Sequence, residues 1–150
     1  PRIDVKSIDF DYDLIVISDY NKGFLLEEDI EYICTNHSNV FIDTKKILGD
    51  WVKDARFIKI NDYEYRNSEP YLTPDIEHKI IHTMGGKGCE FSGRKYSTKK
   101  VEVKDLSGAG DTFMAGLVVK FIETQDIEKS IKFANQCASK VVTQKGVAVL

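Results

Sequence analysis

Lys104-Asp105-Leu106-Ser107-Gly108-Ala109-Gly110-Asp111-Thr112 places a carboxylate directly after a run of small residues. The flanking pattern predicts that this segment joins a strand to a helix. Small residues let successive backbone amides point outward together at a helix start. Those unpaired amides, with the positive end of the helix dipole, form an anion site. A phosphoryl group in transfer needs donors for its equatorial oxygens and a base for the attacking hydroxyl. Gly108, Ala109 and Gly110 offer the donors, and Asp111 stands where a base would act. The spacing also fits a plainer role, because aspartate is a favoured cap at helix starts.

Two better-known glycine patterns fail. Gly108-Ala109-Gly110-Asp111-Thr112-Phe113 begins as a dinucleotide fingerprint but ends in phenylalanine. Gly86-Lys87-Gly88 contains the Gly-Lys step of a phosphate-binding P-loop. Position 81 is isoleucine, however, and no serine or threonine follows the lysine.

The elements that must position this segment read as alternating strands and helices. Leu14-Ile15-Val16-Ile17-Ser18 is a continuous apolar run, as expected of a buried parallel strand. Asp19-Tyr20-Asn21-Lys22-Gly23 reads as a loop. A helix is predicted over 27–36 from Ile30, Ile33 and Cys34. Val40-Phe41-Ile42 and Phe57-Ile58-Lys59-Ile60 are further strands. Residues 79–83 and 89–91 flank a glycine-rich turn and suggest a hairpin. Val101-Glu102-Val103 alternates as a strand. Residues 67–75 are the most loop-like stretch. Helices are predicted over 109–123 and 127–143, the first nearly apolar all round and therefore buried. The order predicts an α/β fold with an open, mostly parallel sheet.

Composition bounds the reading. The 150 residues fit one domain, 42% of them hydrophobic and 30% charged. A net charge of −3 offers no basic field for nucleic acid. The three cysteines form no CxxC pair and are odd in number, which speaks against a disulfide framework and for a reducing, cytoplasmic setting. No apolar run has the roughly 20 residues of a membrane span, and the first residues do not resemble a signal peptide.

Residues 105–118 resemble the second signature of the ribokinase-like (PfkB-type) carbohydrate kinases, Asp-Thr-x-Gly-Ala-Gly-Asp followed by a small-residue-rich helix. Leu106 departs from that pattern, where a small or β-branched residue is usual. It precedes the glycines, so altered packing is expected and not lost chemistry. Asn61-Asp62-Tyr63-Glu64 is similar to the family's Asn-x-x-Glu motif, and Thr83-Met84-Gly85-Gly86-Lys87-Gly88 to its Thr-x-Gly-x-x-Gly turn. Ser18-Asp19-Tyr20-Asn21-Lys22-Gly23 and Ile42-Asp43-Thr44-Lys45 resemble segments of the bacterial heptose-phosphate kinases, with Thr44 in place of a proline.

The resemblance implies an ATP-dependent kinase of a sugar or sugar phosphate. Asp111 would be the catalytic base and Gly108 to Gly110 the anion hole. Asn61 and Glu64 would orient Mg²⁺, Glu64 through water. Thr83, Gly85 and Gly88 would shape a turn against ATP, and Asn135 would lie near the nucleotide base. Lys22 and Lys45 would steer substrate phosphates. Exposed lysines are common, however, and an Asn-x-x-Glu segment also suits a helix cap. His82 reads as a strand residue with a satisfied ring, and His37 and His78 as surface residues.

The resemblance also implies that the chain corresponds to the C-terminal half of such a kinase, with the N-terminal half and lid absent. A half-sheet would expose an edge and favour self-association, or pairing with the missing half. The rival reading is a nucleotide-binding or interaction module without turnover of its own.

Overall fold

A computed structural model describes residues 1–98 and 109–143, with side chains through 140. Those residues belong to two compact units, Pro1–His82 and Thr83–Leu150. The expected strand over 101–103 lies outside the described residues.

In the first unit β1 (Ile15–Asp19), β2 (Val40–Thr44) and β3 (Phe57–Asn61) run parallel. Ile15 pairs with Val40 and Asp19 with Thr44, while Asp43 aligns with Lys59. β4 (Ile80–Thr83) follows, and the Ile58 amide donates to the Lys79 carbonyl just before it at 3.0 Å. β2 is buried at every position, apolar at Val40, Phe41 and Ile42 and polar at Asp43 and Thr44.

Helix α1 (Glu27–Asn36) crosses between β1 and β2 and buries Ile30, Ile33 and Cys34 against Ile17, Val40, Ile42 and Ile58. Asp29, in its first turn, reaches back to the Leu26 amide at 2.9 Å and closes the helix start. Arg2 grips the same carboxylate at 2.8 and 3.0 Å and holds it below the usual aspartate range.

The loop-like stretch at 67–75 is more ordered than expected. It holds the end of α2 (Asp62–Ser68), a 3₁₀ turn at Glu69–Tyr71 and the start of α3 (Pro74–Glu77). Prolines at the first turns of these short helices cost nothing there, because those amides have no intrahelical partner.

In the second unit a hairpin joins β5 (Cys89–Phe91) to β6 (Arg94–Tyr96) through Ser92 and Gly93. Both turn residues have positive φ, 51° and 78°, the backbone of a type I′ turn. Sequence reading did not include β6, three residues long with no apolar run. Helices α4 (Ala109–Thr124) and α5 (Ile127–Thr143) pack together through Phe113, Leu117, Phe121, Ile131 and Ala134. Gly116 lets them approach: a Cβ there would lie 3.1 Å from Cys137 Sγ and 3.3 Å from Ala134 Cα. α4 is not buried all round, for Val119 is 59% and Ile122 49% exposed. Its partner helix covers one stripe, so apolar composition around the whole helix overstated its burial.

Candidate active site

Several charged residues of the first unit, most of them buried, meet where β1, β2 and β3 end. In open α/β sheets ligands bind outside the carboxyl ends of the strands. Three lysine–carboxylate pairs stand there. Lys46 Nζ lies 3.1 Å from Asp19 Oδ2, and Lys59 Nζ 3.2 Å from Asp43 Oδ2. Lys45 Nζ lies 2.8 Å from Glu64 Oε2. Asp19 also accepts the Thr44 hydroxyl at 2.7 Å and the Asn21 amide at 3.0 Å. Lys46 donates to Asn21 Oδ1 at 2.8 Å. This network fixes the loop after β1, where Asn21 and Gly23 take positive φ and Lys22 is exposed.

Sequence reasoning singled out Lys45 and passed over Lys46, Asp19, Asp43 and Lys59. The adjacent lysines give no signal of which one is buried; that depends on the partner strand. Burial pushes the Asp43 carboxyl above its ordinary value, against the pull of Lys59.

Asn61 and Glu64 form a reciprocal capping box at the start of α2. Asn61 Oδ1 accepts the Glu64 amide and Glu64 Oε1 accepts the Asn61 amide, both at 2.9 Å. The helix-cap role of this motif is therefore realised. Beside it, His82 Nε2 lies 2.9 Å from Asp62 Oδ1, and the ring stacks on Tyr65 at 4.2 Å. The ring is satisfied, as its strand position suggested. Both Glu64 oxygens have partners, and the described residues contain no group of three His, Cys, Asp or Glu able to hold a metal. The described residues therefore offer no direct protein cage for a metal.

In the second unit α4 begins at Ala109, with Gly110 next and Asp111 exposed in the first turn. Gly108 lies outside the described residues. Sixteen residues of helix supply the dipole that favours an anion at this end.

The glycine turn is a 3₁₀ turn, Gly85–Lys87, in which Gly85 has φ 59° and Gly88 φ 89°. A Cβ at Gly88 would meet the Tyr96 carbonyl oxygen at 2.0 Å, so only glycine fits. Thr83 precedes this turn at the end of β4. Asn135 is buried and donates to the Tyr96 carbonyl at 3.0 Å, tying α5 to β6.

The sequence profile described as pfkB family carbohydrate kinase matches residues 26–149. The chain belongs to this family. Within the pfkB family, the chain is 29% identical over 157 residues to the bifunctional protein HldE of Nitratiruptor sp., covering 92% of this chain and 34% of that protein. It is 30% identical over 121 residues to fructokinase-2 of Zea mays, covering 67% of this chain and 36% of the relative. The chain thus spans about a third of the length of these curated relatives.

The fold is similar to that of ribokinase from Thermotoga maritima, with a TM-score of 0.73 and 17% identity, over 96% of this chain and 56% of that one. Arabidopsis thaliana ribokinase complexed with ribose and ATP gives a TM-score of 0.69 at 18% identity, over 89% and 51% of the chains. These likenesses establish a ribokinase-like α/β fold for the pfkB-family chain. No helix among its described residues is long and apolar enough to cross a membrane.

Proposed function

We propose that this chain carries the phosphoryl-transfer part of an ATP-dependent kinase acting on a hydroxyl of a sugar or sugar phosphate. The observation that carries the reading is Asp111 in the first turn of α4, within the family match and after the Asn-x-x-Glu and glycine-turn motifs in order. Asp111 accepts the proton of the acceptor hydroxyl. The amides of Gly108, Ala109 and Gly110 bind the moving phosphoryl oxygens. ATP lies against the turn shaped by Thr83, Gly85 and Gly88, with Asn135 supporting the wall near the base. Asn61 and Glu64 face the hydrated Mg²⁺, which when bound neutralises phosphate charge. Lys22 and Lys45 meet the substrate's phosphate, which suits the resemblance of 18–23 and 42–45 to heptose-phosphate kinases and the similarity to HldE proteins. The setting is cytoplasmic.

The test is ATP-dependent phosphorylation of a sugar and sugar-phosphate panel by a full-length kinase carrying this chain. Asp111→Asn is expected to lower kcat by about 10²–10⁴. Near-normal turnover in that variant would remove Asp111 as the base.

A second reading rests on the chain's span of about a third of its curated relatives. It is a nucleotide-binding or interaction module that turns nothing over alone. Self-association, or pairing with a further part of the kinase, would then run along β1. That strand stands at one end of the strand order, and Val16 is exposed on it. Calorimetry with ATP and Mg²⁺ separates the two, since binding without phosphorylation of any sugar favours the module.

A further inference from the structure

Lys45 follows β2, and Glu64 lies in the first turn of α2, so their contact ties two elements together. The Glu64 side chain is 5% exposed and that of Lys45 44%. A carboxylate taken out of water needs its oxygens occupied. Oε1 accepts the Asn61 amide and Oε2 faces the Lys45 ammonium. The ion pair therefore adds a third member to the reciprocal capping box: Asn61 and Glu64 bind each other's amides, and Lys45 holds the outer oxygen of the same carboxylate. The Lys45 ammonium is held above its ordinary value chiefly by this hydrogen bond. In the two neighbouring pairs, Lys46–Asp19 and Lys59–Asp43, both lysines are buried. Of the three, Lys45 alone combines a buried carboxylate partner with a solvent-reaching ammonium.

We propose that Lys45 is a positioning residue, which holds the Glu64 carboxylate in the orientation that completes the α2 cap and aims Asn61 and Glu64 at their ligand. This deepens the functional reading of Asn61 and Glu64 and rests on it only for the hydrated cation; the contacts among Lys45, Glu64 and Asn61 do not depend on it. In this role Lys45 acts through Glu64, apart from the phosphate contact proposed for its exposed ammonium, and sets how rigidly that carboxylate is presented.

The experiment is amide hydrogen exchange, followed by NMR on the 150-residue chain, for wild type, Lys45→Met, Lys45→Arg, Glu64→Gln and Lys45→Met/Glu64→Gln. In Lys45→Met the Asn61 and Glu64 amides are expected to exchange about fivefold faster, while β1 and β2 amides keep their rates. Lys45→Arg restores most of the protection. The double variant shows little further acceleration over Glu64→Gln alone, because both changes remove the same ion pair. Unchanged Asn61 and Glu64 amides in Lys45→Met overturn the proposal. A uniform acceleration of all amides overturns it as well, since that marks a loss of global stability. Neither outcome bears on Asp111, so failure here and failure of the phosphoryl-transfer reading remain distinguishable.

Discussion

Lys59 and Asp43 face each other in register across β2 and β3, with Nζ and Oδ2 3.2 Å apart and both side chains largely buried. A buried ion pair adds little net stability, but removing one member strands the other. Lys59→Met is expected to cost about 3–5 kcal/mol in urea unfolding, and adding Asp43→Asn in that background to recover much of it. The pH dependence has a definite sign. The folded Asp43 carboxyl lies above its ordinary value, chiefly through burial, so ionising it costs folding free energy. Its contribution to stability therefore rises as pH falls through the raised folded value toward the unfolded one near ~3.9. An Asp43→Asn variant that keeps the wild-type slope in that window would show that another group sets it. At this scale Asp111 and Gly108 to Gly110 were legible as candidates from type and spacing, and Asn61, Glu64, Gly85 and Gly88 from resemblance to the pfkB family. The pairing of Lys45 with Glu64 was not, because β3 separates them in the chain and only the fold brings them together. Nor was Asn135's bond to the Tyr96 carbonyl, which depends on how α5 meets the hairpin.

At the scale of elements, α4 and α5 show how much a single glycine decides. Gly116 sits where a side chain would press on Cys137 and the Ala134 backbone. Gly116→Val is expected to destabilise by about 1–3 kcal/mol through overpacking, measured as a lower denaturant midpoint at unchanged slope. A midpoint at or above wild type would mean that α5 yields without strain. Helix spans were legible because their apolar spacing is long and regular: α1 and α5 run over the predicted residues, and α4 extends one residue beyond. The β5–β6 hairpin was not, since its strands are short and Ser92-Gly93 signals a turn only to someone expecting one. The exposed stripe of α4 was equally hidden, because composition tells how apolar a helix is and not which neighbours cover it.

For the whole molecule, the two compact units each contain a buried thiol, Cys34 in the first and Cys89 in the second. Burial pushes both thiols up to about 12, so neither forms thiolate near neutral pH while folded. Cys137 is only half-buried. Iodoacetamide labelling at pH 8, read by mass spectrometry, is expected to modify Cys137 first and Cys34 and Cys89 only as urea opens their units. Rapid labelling of Cys34 in native buffer would contradict its burial on the inner face of α1. The family and the α/β class were determined by the sequence itself, because glycine turns, capping motifs and apolar periodicity are local properties that survive being read along a line. The tertiary structure decided which charges meet at the strand ends and which lysine is buried. It also decided that the Asn-x-x-Glu motif is a helix cap whose glutamate pairs with Lys45. Ion pairs and burial are set by distances through space, and a linear spacing does not contain them.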